Sequence, residues 1–133
     1  MKVKLFLVAL VLAGCSLMNQ MRLTKDYKLN EMIKTKTGNP MFSVYDGAYN
    51  NYKMKFASGV KMELVYVGSE NNVINVTYRE YMISNFSEYI KDGFTEHLKY
   101  DMKESKVISY KNFEIEVLEY NNRELKFRVV KDN

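Results

Sequence analysis

Apolar positions follow two patterns along this chain. Residues 5–12 form one unbroken apolar run. From residue 41 onward, apolar and polar residues alternate with period two, the spacing of a strand that turns one face to a core and the other to water. The clearest case is Val60 to Val67, where Val60, Met62, Leu64 and Tyr66 share one face and Lys61 and Glu63 the other. Ile74, Val76 and Tyr78 alternate in the same way with Asn75, Thr77 and Arg79, and the two stretches should form a hairpin across the turn-forming residues Gly68 to Asn72.

Further strands are expected at Met41 to Tyr45, Tyr49 to Phe56, Phe94 to Met102 and Val107 to Tyr110. Asp46-Gly47 and Ser58-Gly59 read as turns, and Asn50-Asn51 lies in a turn or at its edge. Tyr81 to Gly93 is the least regular stretch. Ser84 is placed to cap a short helix running to Lys91, and a structured loop fits as well.

The last hairpin can be argued residue by residue. Phe113, Ile115 and Val117 alternate with Glu114 and Glu116, and Leu125, Phe127 and Val129 with Lys126 and Arg128. Opposed residues share a face, so paired numbers must sum to an even value. A three-residue loop, Asn121 to Arg123, pairs Val117 with Phe127, Ile115 with Val129 and Glu116 with Arg128. A bulge near Leu118-Glu119 is the alternative. Seven or eight short antiparallel strands make an all-β domain, a small partly open barrel or a sandwich. The barrel is preferred, because the residues after Asn39 leave little chain for two full sheets.

Residues before the only proline, Pro40, behave differently. Ser16 to Asn39 has no sustained period and reads as a flexible tether, which as a coil would span about 27 Å. Gly38-Asn39-Pro40 marks its end. The domain is thus expected at 40–133.

The apolar run is too short for the roughly 20 residues that span a bilayer. It follows Lys2 and Lys4 and ends in Leu12-Ala13-Gly14-Cys15, and small residues before a cut belong to a secretory signal. Leu12-Ala13-Gly14-Cys15 resembles the lipobox of bacterial lipoproteins. The resemblance implies that residues 1–14 are a signal peptide and that Cys15 is acylated and becomes the mature N-terminus. Acyl chains contribute about 0.8 kcal/mol per buried methylene, so two or three long chains would anchor the protein durably. Ser16, in place of the Asp that retains lipoproteins at the inner membrane, favours the outer membrane where the host has one. Glu63 to Gly68, Tyr78-Arg79-Glu80 and Leu98 to Asp101 are similar to stretches of small envelope lipoproteins that bring no assigned activity.

Charge and chemistry narrow the function. The formal net charge is +4, yet Lys2 and Lys4 lie in the signal, and Arg22, Lys25, Lys28, Lys34 and Lys36 crowd the tether against Asp26 and Glu31. Acid and base are close to balance in the rest, so the domain lacks the basic face of a nucleic-acid binder. The tether's basic excess could instead lie on an anionic membrane surface, although a solvated linker is its ordinary reading. Cys15 and His97 are the only Cys and His. A disulfide and a multi-histidine zinc site are therefore excluded within one chain, and no cofactor is expected. His97, between Glu96 and Leu98 on the polar side of a strand, is the one possible triad base, and a lone surface histidine is its ordinary reading. Glu114 and Glu116 share a face as a glycosidase pair might, but Arg128 and Lys126 are natural cross-strand partners for them. Among 11 tyrosines, Tyr49-Asn50-Asn51-Tyr52 has the composition of a recognition loop, although Tyr also suits strands and Asn suits turns.

The expectation is a membrane-anchored, non-catalytic envelope lipoprotein that acts by contact with an envelope protein. A small-ligand or glycan-binding module using the Tyr-rich loop is the alternative, and a phage- or plasmid-borne surface-exclusion lipoprotein is another.

Overall fold

A computed structural model describes residues 18–133. The predicted signal and Cys15 lie outside them. The chain is all-β, with strands β1 Asn19–Lys25, β2 Ile33–Lys36, β3 Pro40–Asn50, β4 Lys55–Glu70, β5 Val73–Ser84, β6 Ser87–Ile90, β7 Glu96–Asp101, β8 Val107–Tyr110, β9 Phe113–Tyr120 and β10 Glu124–Lys131. They form two antiparallel sheets, as a sandwich rather than a closed barrel. Sheet A runs β1-β3-β4-β5-β6, with β7 also on β5, and sheet B runs β2-β10-β9-β8. Among the described residues no helix is long and apolar enough to cross a membrane.

Ten strands replace the expected seven or eight because the presumed tether is largely folded. β1 pairs along β3 from Asn19↔Asn50 to Lys25↔Val44, and β2 pairs with β10. Neither strand carries a strong alternating signal, since most of their side chains stay exposed. Backbone pairing to distant strands holds them. Between them the carboxylate of Asp26 accepts the Ser43 N–H at 2.7 Å, and the Tyr27 ring packs edge-on against Phe42 at 4.9 Å. These two added strands supply the chain for two sheets. Pro40, expected at a boundary, opens β3, the strand position where its missing N–H does least harm.

Three further expectations change. Gly47 and Gly59 do not turn the chain. They sit inside β3 and β4 as directly paired residues. The expected turn Gly68 to Asn72 shrinks to Asn71-Asn72, both at positive φ, between Glu70 and Val73. The stretch offered as helix or loop is a hairpin instead. β5 continues to Ser84, Asn85 and Phe86 turn at positive φ, and β6 returns along β5.

The last hairpin has the expected pairs Val117↔Phe127, Glu116↔Arg128 and Ile115↔Val129. Nearer the turn, Tyr120 pairs with Leu125 and Glu119 with Lys126, an odd sum. Leu118 is the extra residue that restores the even register, so the bulge offered as the alternative is what forms. The three-residue loop would pair Tyr120 with Glu124, and the Asn121 N–H instead donates to the Glu124 carbonyl.

The core lies between the sheets. Sheet A contributes Phe42, Val44, Leu64, Tyr66, Ile74, Val76 and Tyr78, and sheet B contributes Ile108, Ile115, Val117, Leu125, Phe127 and Val129. Along β3 this cluster stops at Val44. Sheet A continues well past that point, and its far half, here called the wing, comprises residues 19–24, 45–50, 55–61, 79–84 and 87–90. There the strands keep their ladders while the side chains of the core face lose the second sheet.

Candidate functional site

The wing has two unlike faces, and register assigns each residue to one of them. Pairing places Val60 opposite Asp46 and Met82, and Met82 opposite Tyr89. Leu23 and Met21 lie opposite Asp46 and Ala48. These residues continue the face that carries Val44 and Leu64. Buried side chains of the sandwich thus give way to Met21, Leu23, Met82 and Tyr89, all exposed, with Met21 at 79%. These exposed apolar side chains extend the core face beyond its cover, with the exposed Asp46 between Leu23 and Val60.

The outer face is built differently. Tyr45, Lys61 and Tyr81 lie in one row across β3, β4 and β5, with Glu63 beside them and Glu88 on β6. Lys61 Nζ lies 3.2 Å from Glu88 and 3.6 Å from Glu63. The Tyr81 hydroxyl donates to Glu63 at 2.9 Å, and the Lys61 ammonium sits 5.0 Å from the centre of the Tyr81 ring. Glu63 is buried here without sheet B, and both of its oxygens have partners, as a buried carboxylate requires. Burial pulls the Lys61 pKa down, but the hydrogen bond to Glu88 and the charges of its neighbours outweigh it and hold the ammonium above its ordinary value. Burial pushes the Tyr45 and Tyr81 phenols up, and Glu63 adds to the effect on Tyr81. Such shifts move these phenols away from ionisation near neutral pH, the reverse of what a tyrosine base needs.

The next row is nearly empty. Gly47 faces Gly59 across β3 and β4, followed by Ile83. The two backbones approach so closely that a Cβ on Gly47 would lie 2.6 Å from the Gly59 Cα, and Gly59 has φ +136°. A groove of about 360 Å³ opens beside this row, walled by Tyr45, Tyr49, Phe56, Ile83, Phe86 and Glu88 among others. Tyr45 stacks on Phe56 at 5.2 Å, Tyr49 meets Phe56 edge-on, and the Arg22 guanidinium covers Tyr49 at 4.1 Å.

The Tyr49-Asn50-Asn51-Tyr52 stretch reaches this region but divides. Tyr49 is half-buried in the aromatic cluster. Asn50 is buried, its amide donating to Asn19 and its carbonyl oxygen accepting the Lys53 N–H. The Asn51 N–H donates to the Met18 carbonyl, and Asn51 and Tyr52 are both exposed, Tyr52 widely. Tyr49 and Tyr52 therefore differ in setting, one packed among rings and the other open to solvent.

The other sequence candidates lie elsewhere. His97, on β7, is exposed, and the described contact of its ring is with Thr77 Oγ1, 3.1 Å from Nδ1. Glu116 takes a two-pronged contact from Arg128 at 3.0 and 3.1 Å. Lys126 pairs with Glu119, because the Leu118 bulge shifts the register there, and Glu114 lies opposite Lys131, beyond a second irregularity between Val129 and Lys131. Among the described residues no group of three or more His, Cys, Asp or Glu is arranged to hold a metal ion.

Reading the sequence missed the Lys61, Glu63, Tyr81 and Glu88 cluster. The signal was the recurrence of charge and Tyr on the polar sides of two strands judged to be neighbours. Glu88 was beyond reach, because its strand was read as helix or loop. Comparison with protein-family models, curated proteins and solved structures finds no match to this chain.

Proposed function

We propose that the protein is a lipoprotein of the cell envelope, acylated on Cys15, that works without catalysis by contact with another envelope protein. The signal-like segment and Leu12-Ala13-Gly14-Cys15 support the anchor. One observation carries the contact reading: the core face of sheet A runs on past sheet B as Met21, Leu23, Met82 and Tyr89, uncovered by anything in the described chain. Apolar surface of this kind is concentrated at interaction sites. Ser16 favours the outer membrane where there is one.

The test is crosslinking in cells of the tagged wild type beside Cys15→Ala, with mass spectrometry of the captured protein. One partner, lost when the anchor is removed, is the expected result. Capture of no partner in either form contradicts it. That outcome favours a second reading, a small-ligand or glycan-binding module, which the groove beside Gly47 and Gly59 supports because its aromatic walls and Glu88 would suit the faces and hydroxyls of a sugar. Binding of envelope glycan fragments that is lost in Phe56→Ala would establish that second reading.

A further inference from the structure

The chain enters sheet A at the tip of the wing. Asn19 pairs with Asn50, and the Asn51 N–H donates to the Met18 carbonyl at 2.9 Å, so β1 begins beside the turn of residues 51–54. Cys15 precedes Met18 by three residues, which fully extended reach no farther than about 11 Å. A lipid on Cys15 therefore holds this turn, and not the opposite end of the sandwich, close to the membrane.

The turn has the composition of an interfacial element. Tyr52 is 82% exposed and Met54 74%, and they alternate with Lys53 and Lys55. Residues 51–55 contain no acid. Among the described residues neither lysine is in an ion pair, and the Lys53 ammonium instead lies over the ring of Phe86 at 4.2 Å. Phe86 belongs to the adjacent β5–β6 turn, held there by its N–H to the Ala57 carbonyl at 3.1 Å. Two turns thus end together at one tip. An amphipathic Tyr ring suits the boundary between head groups and acyl chains. Lysine stems can lie along apolar surface with their ammonium groups at anionic head groups.

We infer that the tip formed by Tyr52, Lys53, Met54 and Phe86 sits in the head-group layer of an anionic leaflet when the chain is anchored. This rests on the acylation of Cys15. It fixes the wing's direction, with its uncovered face standing upright beside the membrane.

The chain has no Trp, so Tyr52→Trp puts the only tryptophan at an exposed site, where it can be excited selectively over the tyrosines. The full acylated chain would be placed in vesicles of phosphatidylethanolamine and phosphatidylglycerol, after an intact mass has established acylation. Emission from Trp at 52 should shift to the blue and be lost to brominated lipid. Met54→Trp should behave alike, and Leu118→Trp, on the exposed side of sheet B, should keep water-like, unquenched emission. Unshifted, unquenched emission at 52 and 54 in an acylated chain overturns the inference and leaves the anchor standing. An unmodified Cys15 overturns the anchor reading, and this placement of the tip with it.

Discussion

Strands β3, β4 and β5 each run through two environments, and the same ladder is held in two ways. In the sandwich half, alternate side chains meet sheet B and disappear from solvent. Val44, Leu64, Tyr66 and Ile74 there are at most 3% exposed. In the wing half the same face is open. Stability there comes from the backbone ladder, from ring stacking at Tyr45, Tyr49 and Phe56, and from the Lys61, Glu63 and Glu88 cluster. Burial of apolar area is the larger of these sources, at about 25 cal/mol per Å². Cross-strand pairs contribute only about 0.2–1 kcal/mol each. The sandwich is therefore the rigid support, and the wing is the part held out from it, free to make contacts.

The sharpest test of that contrast is a pair of truncations. Phe127→Ala, at a side chain with no exposure, removes core packing between the sheets and should cost about 3–5 kcal/mol. Denaturant unfolding of that variant should show a large fall in midpoint. Tyr89→Ala, on the uncovered face, should leave the midpoint close to wild type. Similar losses from both would abolish the distinction.

A smaller effect separates the wing from the sandwich by location. In Gly47→Ala the new Cβ meets the Gly59 Cα and the Ser58 carbonyl, so a strand must move, at about 1–3 kcal/mol. Hydrogen exchange should accelerate at residues 45–50 and 55–61 while the amides of β9 and β10 keep their protection. Uniform acceleration would mean that wing and sandwich open as one unit.

The root of the wing gives a pH-dependent effect. Lys25 and the Tyr27 hydroxyl both donate to Asp132, at 2.7 and 2.9 Å, and the Lys25 hydrogen bond, against the effect of burial, holds this carboxyl below its ordinary value. Its stabilisation is complete above about pH 4 and lost as pH falls through the lower folded value. Asp132→Asn should cost about 1–3 kcal/mol at neutral pH and flatten the acid limb of stability. Burial, with Asp132, also pushes the Tyr27 phenol up, so that contribution is present below about pH 10 and fades as pH rises above it. A smaller effect still is expected at Arg128→Ala, where the half-exposed pair with Glu116 should be worth under about 1 kcal/mol.

The sandwich was far more legible than the wing. Between Ile115–Val117 and Phe127–Val129 alternation and parity gave the pairs, because the inward positions there meet a core. In the wing that logic fails. Gly47 and Gly59 look like turn residues, and only a partner strand shows that they are there for close approach. Phe86 at positive φ hides a turn that Asn85 alone does not announce and that a following Gly would have. β1 and β2 owe their extended form to partners far along the chain, which local pattern does not carry. The candidate site suffered most, since Tyr49, Phe56, Lys61, Tyr81 and Glu88 come from four strands.

The claim that the wing's uncovered face is where the protein acts can be tested most directly by photo-crosslinking in cells. A photoreactive phenylalanine would replace Met82, Tyr89 or Leu118 in turn. The account predicts one captured envelope protein from positions 82 and 89 and none from 118. Equal capture from all three positions, or capture from 118 alone, would contradict it.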